Sequence, residues 1–196
     1  SSYIGEHAKG VPGLQHAMDD AYFKRVEAVD YAMSHDDGKT LKGLSKADVI
    51  LVGVSRTSKT PTSIFLARRG IKAANIPLVP GVEVPDEKLS LVKPMYVGLI
   101  ASSDRLMQLR RSRLKAGEKG ASIHIEENRY LDVEEIDKEI KKARRLYSKK
   151  GWPVIDVTKR SIEETAAEIM ALLQRQRDNA KKKKKEQAQA VTGEGT

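Results

Sequence analysis

The sequence predicts an α/β fold, a P-loop kinase-like parallel sheet flanked by helices, with a disordered basic tail at the C-terminal end. Three observations carry this. Short apolar runs alternate with stretches of helical apolar spacing, the pattern of strands joined by crossover helices. One run, Val49-Ile50-Leu51-Val52, has no polar position and suits a strand covered on both faces. It leads through Gly53 and SRTSKT into a helix-like segment, the order of a phosphate-binding loop.

The elements follow in order. Residues 1–15 are polar and glycine-rich, with Pro12, and read as a lead-in. From His16 to Met33 the residues Tyr22, Val26, Val29 and Met33 recur at helical spacing and are expected to pack that helix on the sheet. SHDDGKT then reads as a turn. Gly53 is expected to break the first strand. Ser63 to Ala67 is helix-like and stops at Gly70. Ala73 to Val79 reads as a second strand, and Pro77 restricts it to an edge or a strand end. The following loop, with Pro80, Gly81 and Pro85, either borders a ligand at the carboxyl end of the sheet or simply connects.

Met95 to Ile100 is a third strand. Asp104 is expected to cap a helix carrying Arg105, Arg110, Arg111 and Arg113. His124 lies in an alternating stretch, where a packing or solvated role is expected. Asp132 and Glu135 open a helix striped by Val133, Ile136, Ile140, Ala143 and Leu146. Residues 152–157 form a fourth strand. Ser161 and Glu164 make a capping box for a last helix, striped by Ile162, Ala166, Ile169 and Leu173. Residues 178–196 lack apolar spacing and are expected to be disordered, which leaves one domain over residues 16–177.

With 36 basic and 27 acidic residues, the chain of 196 carries a formal charge of +9, which suits anionic partners. Much of the excess is the run Lys181 to Lys185, so a basic nucleic-acid module has only that tail and the net charge in its support. There is no cysteine, hence no disulfide and no thiolate metal site. No apolar run approaches the ~20 residues of a membrane span and no leader pattern is visible, so a cytoplasmic protein is expected.

The chemistry centres on Gly53-Val54-Ser55-Arg56-Thr57-Ser58-Lys59-Thr60. This matches G-x-x-x-x-G-K-[ST] except at Ser58, which stands at the second glycine. A loop of this length curls around a phosphate with its N–H groups pointing inward. Lys59 is expected to hold phosphoryl oxygens, and the Thr60 hydroxyl to ligate Mg²⁺. Ser58 brings a β-carbon to a place where glycine accepts positive φ. The bland alternative is a strand-to-helix turn with a surface lysine. His35-Asp36-Asp37-Gly38 is the second candidate: its carboxylates could ligate Mg²⁺ or take a proton from a hydroxyl, and the alternative is an Asx turn. Arg110 and Arg113 share one helical face and could clamp a phosphoryl group, or could form a solvated basic face.

GVSRTSKTPTS followed by KAANIPLVPGVEVP closely resembles the kinase/pyrophosphorylase regulatory proteins of pyruvate, phosphate dikinase and phosphoenolpyruvate synthase. YFKRVEAVDYAMSHDDG upstream and GWPVIDVTKRSIEETAAEI downstream look like the same family, in the same order, from about His16 to about Leu173. The resemblance implies a kinase/phosphorylase domain. It implies ADP-dependent phosphorylation of a threonine on the dikinase, reversed by inorganic phosphate with release of pyrophosphate. It also implies a further N-terminal region ahead of the His16 stretch. It favours HDDG as a working motif, with His35, Asp36 and Asp37 as catalytic candidates beside Lys59. The central run looks more like the dikinase-directed branch than the synthase-directed one. The alternatives are the synthase as target, or a small-molecule P-loop kinase with Arg110 and Arg113 on its lid. A homo-oligomer stays open.

Overall fold

A computed structural model describes residues 14–36, 42–91, 93–116 and 131–193. Four parallel strands, β1 (Val49–Val54), β2 (Ala73–Leu78), β3 (Met95–Ile100) and β4 (Val154–Asp156), form one sheet in the order β2-β1-β3-β4. Five helices accompany them: α1 (Leu14–Ser34), α2 (Lys59–Ala67), α3 (Ser103–Lys115), α4 (Val133–Lys150) and α5 (Ile162–Gly193). β1 and β3 are buried at every position, as their uninterrupted apolar sequences require. The chain crosses from β2 over β1 to β3, so the sheet has its topological switch beside the carboxyl end of β1.

Gly53 does not break β1. The strand runs on to Val54, and Gly53 pairs with Pro77 on one side and Leu99 on the other. A Cβ there would lie 2.6 Å from Thr57 Oγ1 and 2.8 Å from the Leu99 carbonyl. The glycine is needed because the loop and β3 close tightly on the strand, not because the strand stops. Pro77 sits on edge strand β2, where a missing N–H is tolerated.

α4 locks onto the middle of the sheet through Tyr147. Its ring fills the space a side chain at Gly98 would need, and its hydroxyl donates to Val52 O (3.0 Å) and Leu99 O (3.3 Å). Burial pushes the Tyr147 phenol well above its usual range, so it stays a donor. Ile136, Ile140 and Ala143 are buried as their spacing predicts; Val133 is exposed. α5 opens with the expected box: Glu164 N–H donates to Ser161 Oγ at 3.1 Å and Ser161 N–H to Glu164 at 2.8 Å.

Two further expectations are overturned. On α1, Tyr22, Val26 and Met33 are exposed; the buried positions are Ala28 and Ala32, packed with Ala67 of α2, and of the expected stripe Val29 alone packs partly buried beside them. Small side chains let two helices approach closely, which a stripe count weighted by size does not detect. The cap of α3 is Ser102, which accepts from Arg105 N–H, with Asp104 in the first turn. α5 is described as far as Gly193, and every described side chain from Gln174 on is exposed, in keeping with the missing apolar spacing there. Residues 1–13 and His124 lie outside the described residues. The loop after β2 returns to the amino end of β3: Tyr96 Oη donates to Lys88 O at 2.6 Å, and Lys150 pairs with Asp86 at 2.8 Å. Among the described residues no helix is long and apolar enough to cross a membrane.

Candidate functional site

The loop from Gly53 to Thr60 turns from β1 into α2 with two non-glycine residues in the left-handed region, Arg56 at φ +72° and Ser58 at φ +57°. Ser58 thus adopts the conformation for which the motif normally uses glycine. Such conformations cost about 1–3 kcal/mol each and persist only where the surroundings impose them. Here Thr57, fully buried between the two, donates from Oγ1 to Val54 O at 3.0 Å. Lys59 Nζ reaches the same carbonyl at 2.8 Å and is itself 6% exposed. The loop is closed on its own main chain by both side chains, with the ammonium inside it. Main-chain N–H groups and the positive end of α2 add to the field at this point.

Thr60, in the first turn of α2, donates from Oγ1 to Asp36 Oδ1 at 2.8 Å. Asp36 stands just beyond α1, and Asn75 in β2 donates from Nδ2 to the same Oδ1 at 2.5 Å and to Ser63 Oγ at 3.3 Å. The Asn75 main-chain N–H donates to His35 O at 3.0 Å. Three segments far apart in sequence therefore converge on one carboxylate oxygen. The other oxygen, Oδ2, has no hydrogen-bond partner among the described residues.

His35 supports that turn. Its Nδ1 faces Tyr31 O and its Nε2 faces Lys42 O, both at 2.9 Å, and its ring stacks on Tyr31 with centroids 4.0 Å apart. Both nitrogens thus meet main-chain carbonyls, and the ring acts as a strut under Asp36. Tyr31 Oη donates to Gly43 O at 3.0 Å, a second tie across the same turn. Burial, helped by the Asp48 charge, pushes the Tyr31 phenol up to about 12. Asp37 lies outside the described residues.

Arg110 is placed elsewhere. It is 1% exposed and makes a bidentate pair with Glu139 of α4, Nη1 to Oε1 at 3.1 Å and Nη2 to Oε2 at 2.7 Å. Arg113 is half-buried in the last turn of α3. Gly53, Val54, Ser55, Arg56, Thr57, Ser58, Lys59 and Thr60 are brought together with Asp36; Arg110 is tied into the α3–α4 contact. Sequence reasoning missed Asn75. The signal was present: it is the one polar residue of β2, in Ala-Ala-Asn-Ile-Pro-Leu, at a buried position.

The donors at the loop suit Mg²⁺. Thr60 and Asp36 place a hydroxyl and a carboxylate side by side, the hard oxygen set this cation takes together with phosphate oxygens and water. Among the described residues no three His, Asp or Glu side chains gather as a self-sufficient metal site.

The family model described as Kinase/pyrophosphorylase matches residues 1–170. A protein of Rhodopseudomonas palustris (strain BisA53), named as a pyruvate, phosphate dikinase regulatory protein, is 52% identical over 179 residues. That match covers 90% of this chain and 63% of that protein. A protein of the same name from Sinorhizobium fredii (strain NBRC 101917 / NGR234) is 54% identical over 176 residues, 90% of this chain and 63% of its own length. Another from Caulobacter vibrioides is 52% identical over 88% of this chain and 53% of its own length. The chain thus spans between about half and two thirds of the length of these curated relatives.

Proposed function

Because this chain belongs to the kinase/pyrophosphorylase family, we propose that it carries the phosphotransfer site of a regulator of pyruvate, phosphate dikinase. The regulator transfers the β-phosphoryl group of ADP to a threonine of the dikinase. The observation that carries this reading is the carboxylate of Asp36, bound through Oδ1 to the P-loop threonine at 2.8 Å and with no partner on Oδ2 among the described residues. A phosphate loop supplies charge stabilisation but no proton acceptor. Here an acceptor is built into the same hydrogen-bonded group.

The steps follow from the chain's own residues. Loop N–H groups and the Lys59 ammonium hold the β-phosphate and gather its developing charge. Mg²⁺ bound beside Thr60 and Asp36 would supply further charge neutralisation. The Asp36 carboxylate orients the threonine hydroxyl and takes its proton as the new P–O bond forms and the bond to AMP breaks. In the reverse direction inorganic phosphate attacks the phosphothreonine, pyrophosphate leaves and the threonine oxygen takes its proton back. The names of the similar proteins favour the dikinase over phosphoenolpyruvate synthase as target, and a cytoplasmic setting goes with it.

Calorimetry with ADP, ATP, AMP and GTP in the presence of Mg²⁺ tests the reading, followed by incubation with ADP and the dikinase. ADP binding that disappears in Lys59→Ala, with threonine phosphorylation by the unaltered chain, is expected. Tight ATP binding with weak ADP binding would replace the reading with a small-molecule kinase.

A further inference from the structure

We infer that Asn75 is a positioning residue for phosphoryl transfer, acting through Asp36; this rests on the phosphotransfer reading above. Asn75 grips the end of α1 at two points. Its main-chain N–H, on the outer edge of β2, takes His35 O at 3.0 Å, and its side-chain amide takes Asp36 Oδ1 at 2.5 Å. The orientation of the amide is forced, because the opposite one would set its carbonyl oxygen against the carboxylate.

The geometry matters more than the contact. Oδ1 of Asp36 accepts from both Thr60 and Asn75, one donor from α2 and one from the sheet. Two donors on one oxygen fix the plane of the carboxylate and leave Oδ2 to face a hydroxyl or a metal ion. Thr60 alone would leave the carboxylate free to swing about that single bond. Asn75 also keeps a second donor contact, to Ser63 Oγ in α2, which prevents the amide from following Asp36 if it moves.

The side chain is poorly suited to a purely structural role. It is 1% exposed in a strand whose neighbours Ala73, Ala74 and Ile76 are apolar. Its Oδ1 is buried with no hydrogen-bond partner among the described residues. A residue there for packing alone would have no reason to bury an unmatched carbonyl. Asn75→Leu keeps the approximate shape, removes both polar atoms and leaves the main-chain bond to His35 in place.

The test measures four quantities on the unaltered chain, Asn75→Leu and Asn75→Ala: thermal midpoint, ADP affinity without Mg²⁺, the gain in ADP affinity on adding Mg²⁺, and kcat and KM for transfer to the dikinase. A positioning role predicts that Asn75→Leu keeps its thermal midpoint, its Mg²⁺-free ADP affinity and its KM. Its Mg²⁺-dependent gain and its kcat should fall roughly 10–100-fold, as for other residues that orient a ligating carboxylate. A folded variant with full kcat and full Mg²⁺ gain overturns the inference and leaves the proposed function standing. A fall in thermal midpoint in both variants, with all binding lost in proportion, also overturns it by showing a structural role. If the unaltered chain itself binds no Mg²⁺–ADP, the proposed function fails and the inference with it.

Discussion

Gly98 in β3 and Tyr147 in α4 share one space: a Cβ on the glycine would lie 2.5 Å from the tyrosine ring. Both residues are needed for α4 to lie flat across β1 and β3, with the hydroxyl between Val52 O and Leu99 O.

Gly98→Ala should therefore destabilise the protein by about 1–3 kcal/mol through overpacking. Tyr147→Phe should cost about 1 kcal/mol for the lost hydroxyl bonds. In a Tyr147→Leu background the cost of Gly98→Ala should largely vanish, because residues that share a space are not additive. Denaturant midpoints of the unaltered protein and these four variants check this.

Ser58→Gly restores the motif glycine at φ +57°. Relief of the left-handed penalty of ~1–2 kcal/mol, less the extra freedom of glycine in the unfolded chain, should leave a gain of up to about 1 kcal/mol. ADP affinity should be retained. Ser58→Val should lose about 1 kcal/mol or more, since a β-branched residue fits that conformation worst. Thermal unfolding and nucleotide titration of both variants give the answer.

Arg110→Met alone should lose about 3–5 kcal/mol, because Glu139 is then left charged and mostly buried. Arg110→Met with Glu139→Leu should return most of that stability. The double variant should also keep its ADP affinity, since the guanidinium is spent on Glu139. Loss of ADP binding in a stable double variant would give Arg110 the phosphate role its sequence position suggested.

Tyr31 should contribute to alkaline denaturation. Its folded-state value of about 12 lies above the ordinary ~10 of a phenol. A raised value means the folded state holds the proton more firmly. The contribution is complete below about pH 10 and is lost as pH rises towards 12. Tyr96 and Tyr147 are also raised, so the whole protein loses stability over a broad alkaline range. In Tyr31→Phe the slope of stability against pH between those limits should be shallower, by chemical denaturation at each pH.

What was legible in the sequence was local. The strand, the loop from Gly53 to Thr60, the helix after it and the Ser161–Glu164 box each rest on neighbours within a few positions. What was not legible depends on partners far along the chain. Arg110 as a phosphate clamp and Arg110 paired with Glu139 give the same local signal, and only the packing of α3 on α4 separates them. Tyr22, Val26 and Met33 outweigh Ala28 and Ala32 in any apolar count, yet the alanines are the buried face. At Ser58 the reading stopped at the missing glycine, whereas the backbone adopts the left-handed turn without it. Asn75 was passed over because a lone polar residue in a strand has no meaning until Asp36 is beside it.

The strand order has a consequence for synthesis. Asp36, Thr60 and Asn75 are all made before β3 and β4, and they lie on the β2–β1 side of the sheet. As the chain leaves the ribosome, α1, β1, α2 and β2 can assemble as a unit, with the carboxylate already held by its two donors. That unit exposes the open edge of β1, fully apolar over Val49-Ile50-Leu51-Val52, until Met95 to Ile100 arrive to pair with it. During that interval the nascent chain carries Asp36 already held by Thr60 and Asn75 together with an uncovered strand edge, which makes the young polypeptide prone to sticking to its neighbours.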